Sequence, residues 1–229
     1  MSLTALKIKV DKEVAVSGLL QVPEKAAACC VIAHGAGAGM THPFMSAVAD
    51  GLADRRVATL RYQFPYMERG SKRTDAPALA QATVRAAVTE ARRLVPSLPL
   101  FAGGKSFGSR MTSQAQAESP LPKVEGLILL SFPLHPAGKP SDTRAQHLLQ
   151  IRVPMLFLQG TRDALADMTL LDASIKQMGW QASLIKIDDG DHSFHVPKRS
   201  GRTDAQVLAE MLDDLVQWTA ITADPMSTA

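Results

Sequence analysis

The sequence predicts a single α/β domain built on a mostly parallel, twisted sheet of about eight strands with helices on both faces. Its 229 residues can bury a substantial core, and 46% hydrophobic with 21% charged residues is typical of a globular protein. Short apolar runs alternate with longer amphipathic stretches, as in βαβ units. No repeat or long polar linker divides the chain, so we expect one domain over residues 1–229 with a flexible tail at 222–229.

The predicted strands begin with an antiparallel hairpin. The runs Leu6–Val10 and Val14–Val22 flank a short polar turn. Six later runs are apolar over nearly their whole length, as expected of parallel strands covered on both faces. They are Cys29–Ala33, Val57–Tyr62, Leu100–Ala102, Gly126–Phe132, Met155–Leu158 and Ser183–Ile187.

Helical periodicity occupies the segments between these strands. Apolar residues recur on one face of Pro43–Asp54 and of Pro77–Val95. Further helices are predicted at about 107–117, 142–149, 164–178 and 204–221. Only about 22 residues separate Phe132 from Met155, which leaves no room for an inserted lid domain. We therefore expect the functional site to be open and shallow.

Composition and charge exclude several classes of protein. The longest apolar run has eight residues, against the roughly 18–20 that span a bilayer, and the N-terminus lacks a secretory signal pattern. A net charge of +3 is too small to indicate nucleic-acid binding. Cys29 and Cys30 are adjacent, which disfavours a disulfide between them, and no partner at ligand spacing completes a zinc site. We expect a cytoplasmic protein with no metal, no cofactor and no membrane or nucleic-acid partner; its oligomeric state stays open.

The strand Leu100–Ala102 leads into a Gly-x-Ser-x-Gly sequence formed by Gly104, Ser106 and Gly108. A sharp strand-to-helix turn forces the serine into strained backbone geometry, and glycines two places to either side let the chains approach. The hydroxyl then lies at a helix N-terminus, where free N–H groups favour a developing negative charge. Ser106 is the candidate nucleophile. The alternative is a glycine-rich turn that binds a phosphate or has no function.

A serine hydroxyl needs a base to take its proton, and the base needs an acid to orient it. In this class of sheet the members follow successive strands in the order serine, acid, histidine. His192, after the last predicted strand, fits that order best, and His195 is its rival. Asp163, on the loop after Met155–Leu158, is the candidate acid, and Asp167 is a weaker one.

Two loops are predicted to supply backbone N–H donors for an oxyanion. The strand Cys29–Ala33 leads into the glycine-rich sequence His34-Gly35-Ala36-Gly37-Ala38-Gly39, and the residue after the nucleophile supplies a second donor. We assign these donors to the N–H groups of Ala36 and Phe107. A nucleotide-binding loop is disfavoured, because the Gly-x-Gly-x-x-Gly spacing is absent and Arg61, rather than an acid, lies near the end of the next strand.

Together these segments resemble the α/β-hydrolase superfamily. Within it they resemble the small lidless proteins related to dienelactone hydrolase and to the testis-expressed and chromatin-complex hydrolase-like proteins of animals. The resemblance spans nearly the whole chain, through His34–Gly39, Leu60–Glu68, Gly103–Arg110, Phe132–Pro136, Gln159–Asp163 and Asp189–Phe194. It implies an α/β-hydrolase fold and the triad Ser106, Asp163 and His192, and it says little about the substrate.

We expect a serine hydrolase that cleaves a small-molecule carboxylic ester or thioester through an acyl-enzyme intermediate. Short chains should be preferred, because an open site offers little binding energy to a long one. Phe64, Tyr66 and His135 are the candidate substrate-binding residues, since they follow strands on the predicted active face.

Other interpretations remain open at this point. An anionic ester is one alternative substrate, because Lys105 and the basic clusters near 69–73 and 198–202 carry positive charge. A peptidase or a lactone hydrolase would share the same machinery, although serine rather than cysteine at position 106 disfavours a dienelactone hydrolase. A non-catalytic interaction module that keeps the fold is the alternative of a different class.

Overall fold

The computed structural model describes residues 1–223 and contains one eight-stranded sheet flanked by helices within that range. The strands are β1 (Ser2–Lys9), β2 (Ala15–Val22), β3 (Ala28–Ala33), β4 (Val57–Tyr62), β5 (Leu100–Lys105), β6 (Val124–Leu130), β7 (Met155–Gly160) and β8 (Ala182–Ile187). The α-helices are α1 (Pro43–Asp54), α2 (Pro65–Glu68), α3 (Pro77–Leu94), α4 (Phe107–Glu118), α5 (Met168–Met178) and α6 (Asp204–Ala223). Short 3-10 helices cover Thr143–Gln150, Gly179–Gln181 and Lys198–Ser200.

The strand order β1-β2-β4-β3-β5-β6-β7-β8 places the opening hairpin at one edge of the sheet. The pairs β1/β2 and β2/β4 are antiparallel, and every other pair is parallel. This confirms the predicted fold class. The chain passes from β3 to β4 on one side and later places β5 on the other side of β3. Loops after β3 and β5 therefore diverge, and a crevice opens at the carboxyl ends of these strands, where open α/β sheets bind their ligands.

The core has one layer on each face of the sheet. Side chains alternate between the two layers along β3: Cys29 and Val31 belong to the layer beneath α3 and α4, and Cys30 and Ile32 to the layer beneath α1 and α6. Both cysteines are free thiols and buried. None of the helices in residues 1–223 combines the length and apolarity that a membrane crossing requires.

The structure differs from the sequence-based prediction mainly at helix boundaries. The predicted helix at 142–149 is a 3-10 helix, and the helix predicted from 164 begins only at Met168. The reason for the later start is local, because the Asp167 side chain accepts the N–H of Leu170 and caps the helix there. The connection 131–154 carries no inserted domain, as predicted. Of the predicted tail, Thr222 and Ala223 end α6, and 224–229 lie outside the described residues.

The turn between β5 and α4, which carries the candidate nucleophile Ser106, crosses the end of β3 at very short range. A Cβ atom on Gly104 or on Gly108 would lie 2.5 Å from the carbonyl oxygen of Ala33. Real Cβ atoms do not approach backbone so closely, and backbone cannot rotate away as a flexible side chain can. Both glycines are therefore required for β3, β5 and α4 to meet at one point.

Replacing Gly108 with alanine should lower the free energy of unfolding by about 1–3 kcal/mol, since the added methyl group overpacks a rigid contact. Equilibrium urea denaturation measures the change. Gly35→Ala is the matched control, because its Cβ would meet its nearest neighbour at an ordinary 3.6 Å. Equal destabilisation by the two substitutions would contradict the role of the close approach.

Candidate active site

Ser106 lies in the sharp turn between β5 and α4, half-buried, with φ 52° and ψ −109°. A positive φ is unfavourable for a residue with a side chain, so the surrounding contacts must hold it. Its N–H donates to the carbonyl of Leu130 at 2.9 Å, and its carbonyl accepts the Ser109 hydroxyl at 2.7 Å. The serine backbone is thus fixed to the end of β6 and to the first turn of α4.

The structure brings Ser106, His192 and Asp163 into one hydrogen-bonded line. His192 Nε2 lies 2.8 Å from Ser106 Oγ, and His192 Nδ1 lies 2.7 Å from Asp163 Oδ2. A neutral imidazole protonated at Nδ1 satisfies both bonds, because it donates to the carboxylate and accepts the hydroxyl proton. The His192 side chain is 28% exposed, whereas that of Asp163 is fully buried.

Three donors hold the buried carboxylate of Asp163. Besides His192, the side-chain amide of Gln159 donates to Oδ2 at 2.6 Å, and the N–H of Leu165 donates to Oδ1 at 2.8 Å. A buried carboxylate without such partners would be strongly destabilising. Gln159 was not among the residues predicted from the sequence. A lone polar residue in an apolar strand indicates a buried hydrogen-bonding role, and Gln159 is the one polar residue of β7.

The rival residues lie elsewhere. His195 is exposed and pairs through Nδ1 with Asp204 at 2.8 Å, which raises the pKa of its imidazole. Asp167 is occupied as the cap of α5. Neither has a hydrogen bond to Ser106 or His192.

The N–H groups of Ala36 and Phe107 are free to meet an oxyanion. Neither donates to an acceptor within residues 1–223. Phe107 is the first residue of α4, whose N-terminal amides have no intrahelical acceptor, and Ala36 is exposed on the loop after β3. Ala36 and Ser106 line the same cavity.

Two side chains form hydrogen bonds with the backbone of the loop that carries Ala36. The Tyr66 hydroxyl accepts the N–H of Gly37 at 2.8 Å. His34 donates from Nδ1 to the carbonyl of Gly35 at 2.7 Å and accepts the N–H of Phe64 at Nε2, at 3.1 Å. Burial lowers the pKa of His34, which keeps the neutral form that these two bonds require.

The same aromatic side chains support the second donor. The Phe107 ring meets the Phe64 ring edge-on at 5.2 Å between centroids and the Tyr66 ring at 6.4 Å. Both loops that offer N–H groups therefore rest on one group of packed rings.

The structure does not bring the three candidate substrate-binding residues to the cavity. Phe64 and Tyr66 are 0% exposed and His135 is 4% exposed. His135 instead accepts the N–H of Asp167 at 2.7 Å and so joins the loop after β6 to the start of α5. This corrects the expectation that these three residues contact the substrate. The reason is that these residues turn back into the core after their strands end, where they contact the loops that form the site.

The cavity beside Ser106 has a volume of about 390 Å³. That lies at the lower end of the range for small-molecule sites. Its lining combines residues of the loop after β3, the imidazole of His192, and further apolar and polar side chains: Gly35, Ala36, Ala38, His42, Phe44, Met45, Lys105, Ser106, Leu165, His192 and Ser193.

A family model described as an alpha/beta hydrolase domain matches residues 26–220. The chain belongs to the alpha/beta hydrolase family. Several solved structures share this fold across nearly their whole length, at sequence identities that support the fold alone.

A dienelactone hydrolase from Anabaena variabilis is 21% identical, with a TM-score of 0.77, and the match covers 96% of this chain and 97% of that one. A serine hydrolase without lid from Xanthomonas campestris is 19% identical, with a TM-score of 0.73 and 95% of each chain covered. The esterase domain of a Rhodothermus marinus protein is 13% identical, with a TM-score of 0.71, and the match covers 95% and 98%.

Lys105 is an unusual feature of the cavity in this alpha/beta hydrolase. Its ammonium group donates to the backbone carbonyl of His192 and lies 5.9 Å from the ring centre of Phe44 and 5.3 Å from that of Phe194. Burial lowers the pKa of Lys105 to about 8, although nearby carboxylates oppose the shift. No carboxylate within residues 1–223 forms a salt bridge with it.

The basic clusters predicted near 69–73 and 198–202 do not line this cavity. Arg69 pairs with the buried Asp75 at 2.7 Å, and Arg202 pairs with Glu210. These arginines therefore stabilise their own segments. Lys105 remains as the basic side chain of the cavity wall.

Replacing Lys105 with methionine should stabilise the fold. The pKa of Lys105 is lower in the folded protein than the ordinary 10.5, so the charged form is disfavoured by folding at every pH below the unfolded value. This cost is complete below about pH 8 and fades as the pH rises towards 10.5. We expect the free energy of unfolding to rise by about 1 kcal/mol at pH 7. This is the part of the relieved burial cost that remains after the hydrogen bond and cation–π contacts of the ammonium group are lost.

Thermal unfolding of Lys105→Met and wild type from pH 7 to pH 10 measures this effect, and the difference in Tm should narrow as the pH rises. Lys12→Met, at an exposed position of the β1–β2 turn, is the control and should leave Tm unchanged. A Lys105→Met protein less stable than wild type at pH 7 would show that the contacts outweigh the burial of charge.

Proposed function

We propose that this alpha/beta hydrolase is a serine hydrolase of the carboxylesterase type, which cleaves a carboxylic ester or thioester through an acyl-enzyme intermediate. The observation that carries the proposal is the continuous line of hydrogen bonds from Ser106 through His192 to Asp163, at 2.8 and 2.7 Å. These lengths lie within the reach that proton transfer between a nucleophile and its base requires.

In the proposed reaction, Ser106 Oγ attacks the carbonyl carbon while its proton passes to His192 Nε2. Asp163 keeps the imidazole in the required tautomer and stabilises the imidazolium that forms. The carbonyl oxygen becomes an oxyanion, which the N–H groups of Ala36 and Phe107 stabilise. When the intermediate collapses, the bond to the leaving alcohol or thiol breaks and His192 donates its proton to that group.

The acyl-enzyme is then hydrolysed by the same groups. A water molecule gives its proton to His192 and attacks the acyl carbon, and Ser106 leaves with the proton returned from the imidazole. The products are the carboxylic acid and the free enzyme.

The size of the cavity supports short substrates. A volume of about 390 Å³ accommodates a small acyl group and its leaving group, and no inserted domain covers the connection between β6 and β7 in the described chain. We infer a preference for acyl groups of roughly two to four carbons, because longer chains gain little remote binding energy from an open site.

Ser106→Ala should abolish both covalent labelling by a fluorophosphonate and ester hydrolysis, with a loss of at least about 10³-fold in kcat. Mass spectrometry of the labelled wild type should map the adduct to Ser106. Ser193→Ala is the matched control, since Ser193 lines the same cavity and has no bond to the imidazole. A label that persists in Ser106→Ala, or that maps to Ser109 or Ser193, would contradict the assignment. A wild type that neither labels nor hydrolyses any ester would favour the non-catalytic interpretation.

The two histidines of the last loop allow a test of the base. His192→Ala should lose most of kcat for ester hydrolysis, because no base is then left in contact with Ser106, whereas His195→Ala should keep the wild-type kcat. The reverse pattern of kcat values would assign the base to His195.

A further inference from the structure

A second cavity of about 400 Å³ adjoins the cavity beside Ser106, which is called the catalytic cavity below. The two cavities have Phe44 and Ser193 as common lining residues. The second is bounded mainly by apolar side chains of α1 and α6, among them Ala47, Leu208 and Met211. Its lining also includes the carboxylate of Asp204. A space with these walls suits an unbranched aliphatic chain.

The Phe44 side chain lines both cavities and is held in place by its neighbours. It stacks on the Phe194 ring at 5.9 Å between centroids with an interplanar angle of 23°. The ammonium group of Lys105 lies 5.9 Å from its centre. Its backbone lies in the first turn of α1, where its N–H donates to the side chain of the capping residue His42 at 3.2 Å. The ring therefore has aromatic, cationic and backbone restraints.

Ser193 contributes little to the barrier. Its side chain is small and exposed, and its N–H is taken by Asp191 Oδ1 at 2.7 Å. Of the two shared lining residues, Phe44 carries the larger side chain, so its ring is the larger part of the common wall.

We propose that Phe44 determines the chain length of the esters that this protein accepts, by separating the catalytic cavity from the apolar cavity between α1 and α6. The proposal rests on the ester-hydrolase function proposed above and narrows its substrate class to esters with a short aliphatic chain. Removing the ring joins two spaces of nearly equal volume, and the substrate chain then gains an apolar site. Each further methylene buried there should raise kcat/KM by about fourfold.

The test is kcat/KM for two ester series, measured on the wild type and on Phe44→Ala. One series varies the acyl chain, as p-nitrophenyl esters from two to ten carbons. The other varies the alcohol, as acetates of straight-chain alcohols from two to eight carbons. For the wild type we expect a decline beyond about four carbons. For Phe44→Ala we expect the optimum to move to about eight carbons in at least one series, which also identifies the part of the ester that faces Phe44.

Leu208→Phe in the Phe44→Ala background is the matched control. Leu208 belongs to the second cavity and not to the catalytic one, so the larger side chain should fill the joined space and cancel the gain for long chains. Phe44→Leu, which keeps an apolar side chain at this place, should give an intermediate profile. Fluorophosphonate labelling of each variant at wild-type stoichiometry verifies an intact Ser106 site.

Unchanged profiles of both Phe44 variants in both series would overturn the inference while leaving the proposed hydrolase function intact. A wild type that already prefers ten-carbon chains would overturn it as well. A wild type that hydrolyses no ester and takes no label would instead reject the proposed function, and the inference with it.

Discussion

The close approach at the carbonyl of Ala33 is the constraint on which the site depends. Gly104 and Gly108 both lie against this one oxygen, so β3, β5 and α4 are locked together where β3 ends. The loop with Ala36 leaves β3 at this point, and the turn with Ser106 leaves β5 beside it. Ser106 and the N–H groups of Ala36 and Phe107 can thus converge from segments some 70 residues apart in the chain. The positive φ of Ser106 is the local cost of that arrangement.

Hydrogen bonds around the Asp163 carboxylate transmit this order to His192. Asp163 is buried, and Gln159 and the N–H of Leu165 fix the orientation of its two oxygens. The carboxylate then holds the imidazole of His192 against Ser106. A chain of such bonds leaves each member few alternative positions, which is what preorganisation for proton transfer requires.

The sequence was sufficient for the fold and for the groups that meet at Ser106, because both follow from the order of strands and from the residue types at strand ends. Side-chain direction after a strand was not predictable. Tyr66 and His135 follow strands on the active face, yet packing directs them into the core, where they support loops. Gln159 is the opposite case, because its place as a lone polar residue in an apolar strand is visible in the sequence and indicates the buried role that the structure shows.

The adjacent cysteines of β3 report separately on the two core layers of the protein. Their thiols face opposite core layers, and burial raises the pKa of Cys29 to about 12, so the reactive thiolate is almost absent in the folded state. Cys29 lies beneath α3 and α4, and Cys30 lies beneath α1 and α6. A thiol reagent can therefore reach either thiol only when the helical layer over it separates from the sheet, and the two rates of modification measure how often each layer opens.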